Sequence, residues 1–332
     1  MNGKIIYVRI YEEDSMARKK FVFLFIAFTI LSSVTLACGA SSTTSVSPTS
    51  EITESNTGAP EYYLHDYIQK SGYGLSVIEV ADPAKPGMLY TAEEGKKLVA
   101  IDIMLGNISG DSLGVNPLYS TLVDNTGLVY EADLGSVDNQ IATLYLDQGE
   151  VVEGWVSFQI PTDNTAASFR YAIDKFGNDV INAPLTPAPS GHDFIFMSWS
   201  SYRPSSKLGE TVEKSGYSLT ALAVEDPITL GIPYTPKDGF KLVSVKIVVG
   251  NVSGTDSLSV NPLYAYLVAD DGHVYAPELG GRDGQIDAVS INQGEKAQGW
   301  VSFTIPQNAT PSYIKYELGV FSSDFIIAGL WE

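Results

Sequence analysis

The sequence predicts an all-β protein: two tandem immunoglobulin-like β-sandwich domains that follow a signal peptide and a flexible tether. Three features support this fold class. The 332 residues include 19 tyrosines, 30 glycines and 17 prolines, a composition that suits strands and turns better than helices. Apolar residues alternate with a period near two in several segments. One long stretch of sequence also occurs twice, which indicates a duplicated domain.

The first 37 residues have the pattern of a signal peptide. A basic stretch at 17–20 precedes an apolar run from Phe21 to Leu36, as in secretory signals. The run is short for a helix that spans a membrane. Acidic residues at 12–14 are unusual before such a run, so Met16 is an alternative start of the protein.

The only cysteine, Cys38, follows the segment Val34–Ala37. This segment resembles the lipobox of bacterial lipoproteins, although Thr35 stands where leucine is usual. The resemblance implies that Cys38 carries fatty acids such as palmitate and becomes the mature N-terminus, anchored to a membrane. A secretory signal with an incidental cysteine and an uncleaved anchor are the alternatives. Residues 38–60 are rich in serine and threonine and predict a flexible tether.

The rest of the chain contains one domain twice. The matching segments are Lys70–Tyr73 with Lys214–Tyr217, Asp82-Pro83 with Asp226-Pro227, Val115–Tyr119 with Val260–Tyr264, and Gly154–Phe158 with Gly299–Phe303. We place the first domain at 61–183, a proline-rich linker at 184–192 and the second domain at 193–332. Each copy carries a full set of apolar segments, so we expect each to fold independently.

Within each copy the pattern is that of strands and hairpins. Leu98–Leu105 and Leu242–Val249 alternate as strands do, which puts the odd-numbered valines and Ile247 of the second segment on one face. Asp124–Gly127 and Asp270–Gly272 lie between apolar runs and predict hairpin turns. No amphipathic stretch has the length of a helix. Several short strands in about 120 residues, separated by turns, are typical of a β-sandwich.

The order of motifs resembles a bacterial family. A Gly-Tyr strand, Asp-Pro, Asn-Pro-Leu and then Gly-Trp-Val-Ser-Phe-x-Ile-Pro occur in both copies. This order is similar to that of surface-lipoprotein domains of unknown function, which are related in fold to the mycobacterial immunoprotective extracellular antigen. The resemblance covers nearly all of both repeats and implies an immunoglobulin-like sandwich outside the cell. It supplies no catalytic residues.

Charge and composition restrict the classes of ligand. The net charge of −19 repels phosphate backbones, so we expect no nucleic-acid partner. The three histidines lie far apart in sequence, and a metal site would need oxygen ligands. We expect no cofactor, and weak calcium binding is left open. Its candidate ligands are acids near turns: Asp111, Asp124, Asp133, Asp138, Asp256, Asp270, Asp271 and Asp283.

One motif suggests a hydrolase. Gly110–Gly114 fits G-x-S-x-G, with Ser112 as the nucleophile, and Asp270–His273 fits the D-x-x-H of GDSL esterases. A nucleophile of this kind needs a strand–turn–helix beside oxyanion amides. Here no helical segment follows, and the second copy interrupts the motif. A polar loop is therefore the better interpretation.

Aromatic residues give two more candidates for binding. Trp155 and Trp300 stand at the same repeat position, in strands that are apolar on both faces, and such strands are typically central and covered on each side. We therefore expect both rings in the core, with a sugar-stacking surface as the alternative. Tyr119 and Tyr264 follow Asn-Pro-Leu and are candidates for a binding face.

These observations predict a non-enzymatic extracellular lipoprotein that binds a partner in the cell envelope or has a structural role there. A ligand- or cation-presenting subunit of a membrane machine is the first alternative. A hydrolase that uses Ser112 is the second. Fold alone does not decide among them.

Overall fold

Each repeat forms two four-stranded antiparallel sheets and a small two-stranded sheet. The structure is a computed structural model that describes residues 61–87, 90–173, 179–194, 199, 203–228, 236–253, 256–319 and 322–332. This architecture confirms the predicted all-β class with two tandem β-sandwiches.

The described residues of the first repeat form ten strands. They are β1 (Ile68–Lys70), β2 (Tyr73–Ala81), β3 (Lys96–Asn107), β4 (Leu113–Val115), β5 (Ser120–Asp124), β6 (Val129–Glu131), β7 (Leu144–Leu146), β8 (Val151–Pro161), β9 (Ala166–Ala172) and β10 (Val180–Pro184). One sheet has the order β1-β2-β3-β8 and the facing sheet has the order β10-β9-β5-β6. Strands β4 and β7 pair separately.

The second repeat has the same arrangement. Its strands are β11 (Thr211–Lys214), β12 (Tyr217–Glu225), β13 (Phe240–Asn251), β14 (Leu258–Val260), β15 (Ala265–Ala269), β16 (Val274–Tyr275), β17 (Val289–Ile291), β18 (Lys296–Pro306), β19 (Pro311–Glu317) and β20 (Phe325–Gly329). The sheets have the orders β11-β12-β13-β18 and β16-β15-β19-β20, with β14 paired to β17.

Helices are confined to two short turns in the described part of the chain. They are the 3-10 turns Pro117–Tyr119 and Pro262–Tyr264, each begun by an asparagine whose side chain accepts a hydrogen bond from a backbone N–H. Neither has the length or the apolar character needed to cross a bilayer. Tyr119 and Tyr264 are half-buried at the ends of these turns.

The predicted strand faces and hairpin turns are confirmed. Val243, Val245, Ile247 and Val249 all lie on the inner face of β13 and are fully buried, because side chains alternate across a strand. The two predicted hairpins join β5 to β6 and β15 to β16. Each ends on a glycine with positive φ, +88° at Gly127 and +90° at Gly272, as such turns require.

The prediction that Trp155 and Trp300 lie in the core of central strands is wrong. Strands β8 and β18 lie at the edges of their sheets. Their inner faces carry buried residues such as Val156 and Phe158. The tryptophans point to the opposite face, where chain segments from outside the sheet cover them only in part, and both are half-buried.

The two repeats pack against each other in one compact unit. The outer face of the sheet with β15 and β19 contributes to the hydrophobic cluster of the first repeat. Its contributing residues are Tyr266, Val268, Val274, Tyr313 and Phe325. The backbone N–H of Val151 donates to the Gly272 carbonyl across this contact, at 3.0 Å.

Buried charge lies within the same contact. Lys315 of β19 is fully buried and forms an ion pair with the fully buried Glu150 carboxylate. The Lys315 ammonium also donates to the Tyr145 carbonyl at 2.7 Å, and the Tyr313 hydroxyl donates to Glu150 at 2.6 Å. Burial and the Glu150 charge raise the pKa of Tyr313.

The segment that joins the repeats contacts the first repeat. The His192 ring lies 2.7 Å from the Asp66 carboxylate, and the Trp199 ring packs edge-on against Tyr67, with 5.9 Å between ring centres. The domain boundaries at 61–183 and 193–332, and the independent folding of the two copies, stay predictions.

Candidate functional site

A cleft of about 470 Å³ lies between the two repeats. One wall is the outer face of β3 and β8, which contributes Asp102 and Trp155. The other wall is the β15–β16 hairpin, which contributes His273 and Tyr275. This volume is in the range of pockets that hold small molecules or single side chains.

The position of Trp155 depends on how the edge of β8 is covered. The backbone N–H of Trp155 donates to the Asn139 carbonyl, and the backbone N–H of Ile141 donates to the Trp155 carbonyl, both at 3.0 Å. The 139–141 segment thus pairs with an edge strand that would otherwise be open. A Cβ atom on Gly154 would come 2.8 Å from the Ile141 Cα, so this close pairing requires glycine.

Asp102 lies directly opposite Trp155, on β3. The residue is only 9% exposed, and its Oδ1 atom is buried without a hydrogen-bond partner in the described part of the chain. Burial raises the pKa of Asp102 to about 7, and the charges of Glu153 and Glu79 add to the effect. The cleft therefore contains a carboxyl group that is poorly solvated and surrounded by other acids.

Two basic groups of the cleft, His273 and Lys237, lie close to acidic or polar side chains. His273 lies 3.1 Å from the Asp271 carboxylate and 3.8 Å from the Glu153 carboxylate, and its ring stacks on Tyr275. The Lys237 ammonium donates to the Asn139 side chain at 3.1 Å. Asp102 is the buried acid of the cleft whose Oδ1 atom accepts no hydrogen bond from the described residues, and the His273 Nδ1 atom is likewise without a hydrogen bond there.

The second repeat surrounds its equivalent tryptophan with the opposite charge. Lys246 lies opposite Trp300, where the first repeat has Asp102. The Arg282 guanidinium lies 3.6 Å from the centre of the Trp300 ring and forms an ion pair with Glu225.

Arg282 corresponds to Val137 in the first repeat. Each lies two residues after a glycine whose N–H donates to a glutamine side chain, Gly135 to Gln140 at 2.8 Å and Gly280 to Gln285 at 2.7 Å. The same loop position therefore carries a cation in the second repeat and an apolar residue in the first.

Ser112 does not meet a histidine. Its hydroxyl is buried in a loop between β3 and β4. His65 contacts the Val77 carbonyl at 3.0 Å and His192 contacts Asp66, while His273 lies in the cleft. The geometry therefore gives the hydrolase alternative no support.

The candidate calcium ligands do not converge. Within the described ranges, no group of three or more His, Cys, Asp or Glu side chains is placed to hold a metal ion. Asp124 instead organises its hairpin, because its carboxylate accepts from the Thr126 N–H at 2.8 Å and from the Tyr130 hydroxyl at 2.7 Å. Asp133 accepts from the Gln159 amide at 2.8 Å.

The remaining candidates lie away from the cleft or outside the described residues. Tyr119 and Tyr264 pack edge-on against Tyr171 and Tyr316, with ring centres 6.2 and 6.1 Å apart. Cys38 and the signal peptide lie outside the described residues. Asp102 was not among the sequence candidates, although it is an acid inside an apolar strand, and that exception to the pattern is a signal of a special role.

Three solved structures show what the chain is similar to. The secreted protein MPT63 from Mycobacterium tuberculosis is 16% identical, with 39% of this chain and 99% of that chain covered and a TM-score of 0.32. The yjhA protein from Bacillus subtilis is 19% identical, with 38% of this chain and 98% of that chain covered and a TM-score of 0.30. A proposed lipoprotein of Bacillus subtilis, ycdA, is 12% identical, with 36% of this chain and 38% of that chain covered and a TM-score of 0.31.

This chain therefore spans well under half the length of ycdA. No curated protein matches the sequence. The model of one family, described as a domain of unknown function (DUF4352), matches residues 66–181 and again residues 206–326. The chain belongs to this family and carries two copies of its domain.

Proposed function

We propose that this protein is a non-enzymatic binding module, held at the extracellular face of a bacterial membrane by lipid on Cys38, with its ligand in the cleft between the repeats. The observation that carries the proposal is the buried, unpartnered Asp102 carboxyl beside a half-exposed tryptophan. A buried polar atom without a partner costs about 1–3 kcal/mol. A ligand that satisfies it recovers that energy on binding.

The form of the cleft supports binding. Strands of two sheets carry its walls, and its residues come from both repeats. Sites at domain contacts that combine aromatic surface with a few oriented polar groups are typical of ligand recognition. The same cleft also favours the alternative in which the protein presents its ligand to a membrane protein, because a ligand held near the surface of the unit can be handed over.

The order of the N-terminal sequence supports the location. A basic stretch, an apolar run and Ala37-Cys38 follow one another, as in exported lipoproteins. Residues 39–60 would then connect the anchor to the first repeat. A tether of about 20 residues reaches on the order of 25 Å, enough to hold the first domain clear of lipid headgroups.

Substitution of Cys38 tests the anchor. Expressed in a bacterial host that is fed a palmitate analogue, the unaltered protein should be labelled and recovered with the membrane. Cys38→Ser should lose the label and appear in the medium, or remain unprocessed, whereas Ser42→Ala should behave like the unaltered protein. A mature-size Cys38→Ser protein that stays in the membrane fraction would contradict the anchor.

Fluorine NMR tests the cleft. The chain has four tryptophans, so incorporation of 5-fluorotryptophan gives four resonances that single substitutions assign. Pools of sugars, amino acids, nucleosides and polyamines are added to the purified chain. We expect at least one class to shift the Trp155 resonance saturably while Trp300 stays in place. A Trp155 resonance that no class moves would argue against a ligand site in the cleft.

A further inference from the structure

We propose that the cleft selects an organic cation, a guanidinium or ammonium group seated between the Trp155 ring and the Asp102 carboxylate. This inference rests on the proposed function and names the chemistry of its ligand. It follows from a comparison of the two repeats, because the second repeat already holds such a group at the equivalent place.

The second repeat shows the arrangement with its cation in place. The Arg282 guanidinium lies over Trp300 at 3.6 Å from the ring centre and pairs with the Glu225 carboxylate. Stacking on the face of a tryptophan together with an ion pair is a favoured environment for arginine. The same loop, on the same edge strand, covers Trp155 in the first repeat but has Val137 at the position of Arg282.

The first repeat places its acids differently: Ala81 stands at the position of Glu225, and Asp102 stands where the second repeat has Lys246. Across the sheet, Glu79 pairs with Asp102, which pairs with Trp155. The corresponding row of the second repeat is Ala223, Lys246 and Trp300. The row that contains Trp155 is therefore acidic, and the row that contains Trp300 is basic.

No lysine or arginine within the described ranges stacks on Trp155, in contrast to Trp300. The Lys237 ammonium donates to the Asn139 side chain, and the His273 ring lies 3.1 Å from the Asp271 carboxylate without a hydrogen bond to it. A bound cation would supply the positive charge that the described residues do not place on the Trp155 ring.

The available ligands favour an organic cation over a metal ion. Calcium takes six to eight oxygen ligands, and the described residues contain no group of acids close enough to provide them. One buried carboxyl group and one aromatic face instead match a guanidinium, which donates to the carboxylate and stacks on the ring. The cleft volume of about 470 Å³ accommodates a single arginine side chain.

The binding should depend on pH. The groups that face Asp102 are Glu79 and Glu153 on the neighbouring strands, with His273 and Lys237 on the cleft walls. The carboxylate form attracts the cation, whereas the protonated form does not. Affinity should therefore rise as pH increases from 5 to 8, and the bound cation should lower the pKa of Asp102 from about 7.

Acetyl-arginine amide and acetyl-citrulline amide test the charge. The two probes have nearly the same shape, but citrulline is neutral. Titrated into the fluorotryptophan-labelled chain, the arginine probe should shift the Trp155 resonance with an affinity at least about tenfold higher than the citrulline probe. Methylguanidine tests whether the natural ligand is a protein side chain or a free small cation. Tighter binding of the arginine probe indicates a protein side chain, whereas tighter binding of methylguanidine indicates a free small cation.

Three variants locate the site. Asp102→Asn should lower the affinity for the arginine probe by about tenfold or more. Asp163→Asn, the same charge change at an exposed position, should leave this affinity unchanged. Val137→Arg should supply the cation internally, as Arg282 does, and block the probe. Unfolding curves for each variant show whether its fold is intact. If Val137→Arg does not fold, the affinity of Asp102→Asn for the arginine probe alone decides the test.

The outcomes separate this inference from the proposed function. Equal affinity for the arginine and citrulline probes, or an unchanged affinity in Asp102→Asn, overturns the cation site. If a neutral compound shifts Trp155 and no cation does, the cleft still binds a ligand and only its chemistry was misassigned. If no compound shifts the Trp155 resonance, the ligand site in the cleft and the cation site both fail.

Discussion

Two tryptophans at the same repeat position have acquired different surroundings. Trp300 is covered by the Arg282 guanidinium, while Trp155 faces a cleft beside an unpartnered acid. A buried polar group without a partner lowers stability, and the position of Asp102 in the cleft is the observation on which the proposed ligand site rests.

Asp102→Asn should stabilise the protein at neutral and alkaline pH. The folded state raises the pKa of Asp102 from its ordinary 3.8 to about 7, so the unfolded chain binds fewer protons between these values and stability falls as pH rises. The asparagine variant escapes this loss, which is at most about 4 kcal/mol at roughly 1.4 kcal/mol per pKa unit.

Urea unfolding of Asp102→Asn at pH 4 and pH 8 checks the sign. The stability difference from the unaltered protein should be small at pH 4 and clearly positive at pH 8. Asp163→Asn, at an exposed position, provides the matched control and should show little difference at either pH. A variant that is equally or less stable at pH 8 would show that Asp102 has a partner in solution.

At the scale of elements, the site is created by the way edge strands are closed. The 139–141 segment pairs with β8, and the Ile286 N–H donates to the Trp300 carbonyl at 3.0 Å to close β18 in the same manner. Each segment approaches the strand at a glycine, Gly154 or Gly299. The covering segment leaves the tryptophan half-buried, and this is why the ring is available to a ligand.

Gly154→Ala should disturb this closure. Its Cβ would lie 2.8 Å from the Ile141 Cα and 2.9 Å from the Ile141 nitrogen, and backbone must move to relieve the overlap. We expect a loss of about 1–3 kcal/mol in the free energy of unfolding, as in other overpacked sites, and a shifted Trp155 resonance.

Gly110→Ala is the control for this substitution. A Cβ at Gly110 has nothing within 4 Å, so its effect should stay within about 0.5 kcal/mol. Equal stabilities of the two alanine variants, measured by thermal unfolding, would mean that the 139–141 segment moves freely away from β8.

The sequence was sufficient to predict the strands and turns, but it was not sufficient to predict what covers the outer faces of the sheets. Alternation identified β3 and β13, and Asp124–Gly127 identified a hairpin, because both signals are local. The face taken by Trp155 depends on strand order, since an edge strand and a central strand can share one apolar pattern. The role of Asp102 depends on what the second repeat places beside it, and no local pattern contains that information.

At the scale of the whole molecule, the two copies also differ in how they use one motif. Gln-Gly-Glu occurs in both, yet Glu150 is fully buried against Lys315 while Glu295 is exposed. The difference arises because Lys315 and Tyr313 of the second repeat lie on the outer face of β19, against the turn of the first repeat that carries Glu150. The cleft exists only while this contact holds the repeats together.

Lys315→Met should weaken the contact strongly. It removes the cation that neutralises Glu150, and Asp147 also lies 4.0 Å from the Lys315 ammonium. Breaking a buried pair by removing one partner costs about 3–5 kcal/mol, because the remaining charge is buried without compensation. Lys70→Met removes a comparable lysine from an exposed pair with Asp179 and should cost no more than about 1 kcal/mol.

A double variant separates the charge from the contact itself. Glu150→Leu with Lys315→Met replaces the pair by apolar side chains of similar size, and it should recover most of the stability lost in Lys315→Met. Urea unfolding should show one cooperative transition for the unaltered protein and two separated transitions for Lys315→Met, since the repeats then unfold apart. If Lys315→Met is no less stable than Lys70→Met, the repeats are held together by their apolar contacts alone, and the cleft should survive removal of the ion pair.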